Sequence, residues 1–301
     1  MSDIRPDLMD RPKMDEIKFE GSSTEIPDKY DIVQLKMDGM YGWLDIQKGQ
    51  YTIMSRTGKI KEEGVWPNER DNYILVGEWM AGSHWAKRQE DETYERRFYA
   101  FDCIYSRGYN LIHRKEELYT RRSYLRRAVS KLRDSRYWHE DEECELPIIK
   151  EVRTFSQRDW YDACYDYIIE RGYEGLVFKN QLTKFDDSEW ARMKKEIEMD
   201  YICVGFEPAD DKSKYKGLVG AVKGTLIDKD VIVECGGLTD EQRQEYTTNA
   251  EKYKGRIFTA KGNDWYPSGS IRHPKFRRWR DSKTHYECSY DQVPYSIRCD
   301  D

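Results

Sequence analysis

The stretch DIVQLKMDGMYGWLDIQ, residues 31–47, sets Lys36, Asp38 and Gly39 between two apolar runs that read as strands, with Tyr41 just beyond. Short β-branched and aromatic runs bounded by turn residues mark antiparallel sheet. The same texture continues in YDIVQL, GWLDI, YTIMS, YILVGEWM and RFYAFDCIY, from about Tyr30 to Phe101. The lysine poses a chemical question, because a reference pKa of about 10.4 keeps an amine protonated and non-nucleophilic near neutrality unless burial or a neighbouring cation lowers it. Burial in a sheet would do so. Gly39 would let backbone approach a bulky ligand, and Asp38 could orient the lysine or hold a metal.

Further along, RKEELYTRRSYLRRAVSKL carries Leu118, Leu125, Val129 and Leu132 among basic residues, predicting an amphipathic helix whose charged face is solvated. SQRDWYDACYDYIIERGY predicts a second helix, capped by Ser156 and stopped at Gly172, that leads into EGLVFKN as a buried strand. After Met199 short strands return in DYICVGFE, GLVGAVKGTLID and DVIVECGG, followed by a helix at TDEQRQEYTTNAEKY and a strand at GRIFTAKG. This spacing suits a small Greek-key barrel of the OB type. The expected class is α+β, with a domain of antiparallel sheets and helices over residues 1–200 and an OB-fold domain over 201–301.

The chain of 301 residues, 38% apolar and 36% charged, is long enough for one large or two ordinary domains and is not of disordered composition. Its 23 Tyr and 9 Trp offer core material and flat faces on which a base could stack. No apolar run approaches membrane-spanning length, and the charged start MSDIRPDLMDRPKMDE lacks a signal-peptide core, so a cytoplasmic protein with no membrane partner is expected. Seven Cys, odd in number and without a C-x-x-C pair, suggest reduced, mostly buried thiols rather than a zinc site or a disulfide framework. A net charge of -6 argues against a generic nucleic-acid binder. Distribution qualifies this: Glu251 to His285 holds ten Lys and Arg against three Asp and Glu, while EDEEC at 140–144 is acidic. The basic tail could face phosphates locally.

Beyond KMDG, the chain carries in order SRTG (55–58), VGEWM (76–80), FYAFDCIY (98–105), EGLVFK (174–179), WARMKK (190–195) and GSIRHPKFRRWRDSK (269–283). This ordered set, spanning about residues 33–283, resembles the collinear motifs of covalent nucleotidyltransferases, most closely the ATP-dependent DNA ligases of the small phage and viral kind. The resemblance implies an ATP-grasp-like ligase adenylation domain followed by the OB fold. It also implies ATP and Mg²⁺ (or Mn²⁺) as cofactors, nicked double-stranded DNA as partner and, for a phage protein, the host cytoplasm as location. A monomer is expected.

What the family does with its motif residues carries over position by position. Lys36 would take AMP from ATP, pass it to the 5′-phosphate of a nick, and be followed by attack of the 3′-hydroxyl; Asp38 and Lys194 would assist. Gln34 would read the base edge and Phe101 would stack on adenine. Glu78 would lie near ribose and metal, with Glu174 and Asp38 as further metal ligands. Lys179, Arg192 and Lys194 would contact phosphates, Arg192 standing where a lysine is usual. In the tail, Arg272, Arg280, Asp281 and Lys283 would orient the pyrophosphate. Ser55 and Arg56 would meet DNA.

The family usually reads K-x-D-G-x-R, and this chain has Tyr41 in place of the arginine. A tyrosine brings no charge to a phosphate, so restoring it by Tyr41→Arg is expected to strengthen sealing, with Tyr41 itself a DNA contact. No long insertion like the clamp loop of some viral ligases interrupts the barrel, only EPADDKSKYKG at 207–217. Three other readings stay open: a GTP-using mRNA-capping guanylyltransferase, an RNA ligase, and a catalytically silent nick-binding module. SRTG and GSIRHPKF favour the DNA ligase over the capping enzyme.

Overall fold

The computed structural model describes residues 14–16, 25–67, 69–83, 96–137, 146–156, 173–185, 187 and 189–298. It divides into two compact units, Met1–Lys194 and Lys195–Asp301. The expected boundary at 200/201 falls inside a strand of the second unit, Ile197–Pro208.

In chain order the first unit runs β1 (Met14–Glu16), β2 (Ile32–Lys36), β3 (Met40–Gln47), β4 (Gln50–Ser55), β5 (Ile60–Val65), β6 (Tyr73–Trp79), β7 (Arg97–Ser106) and β8 (Tyr109–Asn110). Helix α1 (Leu118–Tyr137) follows, then β9 (Ile148–Glu151), β10 (Thr154–Ser156), β11 (Gly175–Lys179) and β12 (Trp190–Lys194). One sheet has the order β1-β12-β11-β2-β10; the other has β5-β4-β3-β6-β7-β8, with β9 added beside β7. The expected antiparallel pairing holds except where β1 runs parallel to β12 and β9 parallel to β7.

Strand alternation explains how the second sheet sits between two cores. From β3, Tyr41 and Trp43 join a cluster with Val33, Leu35, Leu176 and Phe178 of the first sheet, while Leu44 and Ile46 point the other way. There they meet Leu125, Ala128 and Leu132 of α1. The unit is therefore sheet on sheet, with a helix covering the outer face.

The helix corrects one expectation. Arg121, three residues after Leu118 and four before Leu125 and so within the apolar stripe, is fully buried and makes a bidentate pair with Asp102 of β7, both bonds 2.9 Å, while its third nitrogen donates to the Glu116 carbonyl. Arg122 is buried beside it, with Glu151 at 3.5 Å. The fork geometry of the arginine against the sheet carboxylate satisfies the hydrogen-bonding needs of both groups at full burial. The predicted helix from Ser156 to Gly172, the EDEEC run and Cys144, Cys164 and Cys299 lie outside the described residues. The four described free cysteines, Cys103, Cys203, Cys235 and Cys288, are buried, and burial pushes their thiols up, to about 12 for Cys235 and Cys288.

The second unit is one five-stranded sheet, comprising β13 (Ile197–Pro208), β14 (Val219–Thr225), β15 (Val233–Cys235), β16 (Ile257–Gly262) and β17 (Lys275–Trp279), with α2 (Asp240–Thr248) after β15. Its order is β15-β14-β13-β16-β17, and the two ends meet through a parallel bridge between Gly236 and Lys275. That closure curls the sheet into an OB-like barrel around Met199, Tyr201, Val222, Phe258 and Phe276. Helix α2 starts with a reciprocal capping box, Thr239 and Gln242 each bonding the other's backbone N–H.

Candidate active site

Lys36 ends β2, where its register partner is Gly175, whose partner in turn is Lys194. Three adjacent strands thus bring Lys36, Glu174 and Lys194 to one place. A Cβ on Gly175 would lie 2.0 Å from the Met193 carbonyl oxygen, so only glycine lets β12 approach closely enough to deliver Lys194. Lys36 Nζ donates to Glu174 Oε2 at 2.5 Å, and Lys194 holds the other carboxylate oxygen. Gly39 serves a different approach from the one expected: its absent Cβ would sit 2.7 Å from the Trp79 carbonyl oxygen, so it packs the β2–β3 turn against β6 rather than admitting a ligand.

The electrostatics suit a nucleophile. Burial lowers the Lys36 pKa and Lys194 adds to the effect, while Glu174 and Glu78 oppose it. Burial alone would raise the Glu174 carboxyl, but Lys36 and Lys194 together hold it below the usual carboxylate value. An amine whose charged form is disfavoured, held against a carboxylate that can accept its proton, is prepared to act as a nucleophile.

From this cluster a cleft with about 310 Å³ of open space extends between the two sheets, lined in part by Gln34, Lys36, Glu78, Phe101, Lys179 and Trp190. Residues two apart along a strand share a face, so Lys36 and Gln34 stand with Val177 and Lys179 of β11 and with Lys194, Arg192 and Trp190 of β12. Glu78 and Phe101 come from the opposite sheet. Phe101 packs edge-on against Trp190 at 5.8 Å and tilted against Tyr41 at 6.1 Å.

Lys179 stands four residues along β11 from Gly175, about 13 Å from the Lys36 row. Its Nζ lies 3.7 Å from the Trp190 ring centre and 4.4 Å from that of Phe101, an aromatic setting. Arg192 shares a register row with Gln34 and Val177. Asp38 follows β2 in the turn, half-buried. Ser55 is committed to its own turn, accepting from the Lys59 N–H and sharing a bond with Thr57, and Arg56 is exposed at that hairpin tip. Tyr41 is only 9% exposed and packs on Trp43 and Phe101. A guanidinium there would enter a hydrophobic cluster, which weighs against a gain from Tyr41→Arg.

In the second unit, Lys283 pairs with the buried Asp200 at 2.6 Å and Asp281 with Arg256 at 2.6 Å. A nucleotide-facing role for either first requires its pair to open. Arg277 and Arg278 share Glu198, and Lys261 meets Glu196, so carboxylates at the start of the unit balance much of the basic tail. Arg272 and Arg280 are half-buried beside it.

Residues 62–196 match the family model of the ATP dependent DNA ligase domain. The chain carries an ATP-dependent DNA ligase domain. The matched span holds Glu78, Phe101, Glu174, Lys179, Arg192 and Lys194, and it begins after Lys36. Among solved structures, Pmar-Lig_Pre. aligns at 19% identity and a TM-score of 0.62 over 84% of this chain, and Pmar-Lig_PreS3 at 17% and 0.63 over 89%. The chain spans 64% of the first and 68% of the second. A structure from a study of DNA binding with a minimal scaffold by Lig E DNA ligases aligns at 17% identity and a TM-score of 0.58, over 90% of this chain and 100% of that one. At these identities the likeness establishes the fold. No curated protein sequence matches the chain.

Two residues of the ligase domain's cleft were not singled out from sequence. Trp190 is almost fully buried, forms the cleft wall, and its indole N–H meets no acceptor among the described residues. Its place in WARMKK, alternating with Arg192 and Lys194, was the available signal. Thr154 receives the Gln34 amide at 3.0 Å from a three-residue strand too short to announce itself.

Proposed function

We propose that the chain is an ATP-dependent DNA ligase that seals 5′-phosphate/3′-hydroxyl nicks in duplex DNA, working in the cytoplasm. The observation that carries this is the buried Lys36, its amine disfavoured as a cation, held on Glu174 at the mouth of a cleft walled by Phe101 and Gln34. In the first step the Lys36 lone pair forms a bond to the α-phosphorus of ATP as the bond to pyrophosphate breaks. The nick 5′-phosphate then takes AMP from Lys36, and the 3′-hydroxyl displaces AMP to close the strand. Each step is an in-line displacement in which the protein supplies position and countercharge.

Lys194 would follow the phosphate charge, and Phe101 would stack on the base. Among the described residues no group of three or more His, Cys, Asp and Glu is set to hold a metal ion. Mg²⁺ needs none, since it commonly binds through one or two carboxylates, waters and substrate phosphates. Glu174 and Glu78, with Asp38, fit that mode, and the ion would supply charge neutralisation at the phosphates.

The test is transfer of label from α-labelled ATP or GTP to the protein with Mg²⁺, followed by a chase with nicked DNA or nicked RNA. Label from ATP that resides on Lys36, is lost in Lys36→Ala, and leaves only with nicked DNA to yield a sealed strand is the expected result. Label from GTP would indicate a capping enzyme, release by nicked RNA an RNA ligase, and no label from either nucleotide would overturn the enzymatic reading.

A further inference from the structure

Gln34 is the amide among the described residues lining the cleft; the other polar groups there are the charged Lys36, Glu78 and Lys179 and the donor-only Trp190 indole N–H. A side-chain amide presents either two N–H donors or a carbonyl oxygen, and which one faces a ligand decides what the ligand must offer. Here the surrounding bonds settle the orientation. The Thr154 hydroxyl donates to the Val152 carbonyl at 3.2 Å. That carbonyl has no hydrogen to give back, so the single hydroxyl proton is spent there. The hydroxyl can then offer Gln34 only a lone pair, and it receives the Gln34 Nε2–H at 3.0 Å. The relay is anchored on both sides: the Val152 N–H donates to Ala100 of β7 at 2.8 Å, and Thr154 stands opposite Gln34 in the β10–β2 register. The reverse amide orientation would set the Gln34 oxygen against the Thr154 lone pair.

We propose that Thr154, acting through this relay, turns the Gln34 oxygen toward the cleft and so makes the site select a purine with a 6-amino group over one with a 6-oxo group. The inference rests on the nucleotide-binding reading above and adds its specificity determinant. An amide oxygen accepts from a 6-amino group; set against a 6-oxo oxygen, it places two acceptors face to face and leaves both unsatisfied. Thr154 is thus a positioning residue that contacts Gln34 rather than the base.

The experiment uses the full chain and compares ATP with ITP, which carries the 6-oxo group without the extra 2-amino group of GTP. Covalent labelling efficiency is measured for each nucleotide in wild type, Thr154→Val and Thr154→Ser. Equilibrium affinity for both nucleotides is measured by calorimetry in a Lys36→Ala background, where no covalent capture occurs. Thr154→Val keeps the shape and removes the hydroxyl, so the preference for ATP over ITP should fall roughly tenfold in both assays, the scale of one hydrogen bond. Thr154→Ser should keep it. Thr154→Ala serves as the second hydroxyl-free variant if the valine protein does not fold. A preference unchanged in the valine and alanine variants, or equal losses for both nucleotides, would overturn the inference and leave the ligase reading standing. Wild-type label from neither nucleotide would overturn both.

Discussion

Replacing Glu174 by Gln preserves the shape of the site and removes the negative charge held between two lysines. The carboxylate lies 2.5 Å from Lys36 Nζ, and the two side chains are 8% and 7% exposed, while Lys194 keeps 23%. Opposite unit charges 4 Å apart attract by about 4 kcal/mol at an effective dielectric near 20. Desolvation offsets most of this in the intact pair, but removing one partner is asymmetric and costs about 3–5 kcal/mol. Because Lys194 can turn toward water and Lys36 can release its proton, we expect the low end, about 3 kcal/mol. At about 2–4 °C per kcal/mol for a unit of this size, the first unit should melt about 6–12 °C lower near neutral pH.

The pH dependence gives a second signature. Glu174, with its folded pKa depressed, contributes stability that is complete above its unfolded value and is lost as pH falls through its folded value. The gap between wild type and Glu174→Gln should therefore shrink in acid. In the variant Lys36 keeps the lowering effects of burial and Lys194 without the opposing Glu174. Between its folded value and its unfolded value of about 10.4 the unfolded chain binds more protons, so the variant gains stability as pH rises. Melting followed by circular dichroism from pH 4 to pH 10 should show a gap widest near neutrality and narrowing on both sides. A gap below ~2 °C at neutral pH, or one constant across the range, would refute the bridging role.

Lys194→Met removes a cation that, after burial, helps lower the Lys36 pKa, so the pH midpoint of covalent label formation should move upward. A downward shift, or none, would show that Lys194 acts only on substrate. Tyr41→Arg buries a guanidinium against Trp43 and Phe101 and should cost roughly 2–4 kcal/mol in urea denaturation. Stronger sealing at subsaturating nick with stability unchanged would instead mean that this position opens toward phosphates.

The site was legible in the sequence wherever it depends on local pattern. Strand flanks around Lys36, the apolar EGLVFK run and the alternation in WARMKK each place a side chain on a known face, and pairing β2, β11 and β12 does the rest. Misreadings came from partners distant in the chain. Helical spacing from Leu118 and Leu125 puts Arg121 on the buried face, and the partner that makes a charge tolerable there, Asp102, lies 19 residues earlier on β7. The tail from Glu251 to His285 looked like free positive charge because its carboxylate partners Glu196, Glu198 and Asp200 lie at the far end of the barrel sequence. The motif around Lys179 sets spacing along one strand and says nothing of the Phe101 and Trp190 rings that its amine meets across the cleft.

The Lys36–Glu174–Lys194 arrangement also carries a consequence for the order of events. In the proposed first step, forming an N–P bond would remove the cationic state of Lys36 and bring a phosphate to the same place, so one attraction to Glu174 would be lost as negative charge arrives. Lys194, with nearly a quarter of its side chain exposed, is free to follow the phosphate, whereas Lys36 and Glu174 are confined by burial. Glu174 is then left with a charge that its burial opposes, and it gains most by taking a new cation at that moment. Under the proposed reaction, a carboxylate between two lysines would serve as a counterion before the first displacement and be left to attract a cation after it. This requires only the loss of one proton from Lys36, which the buried setting already favours.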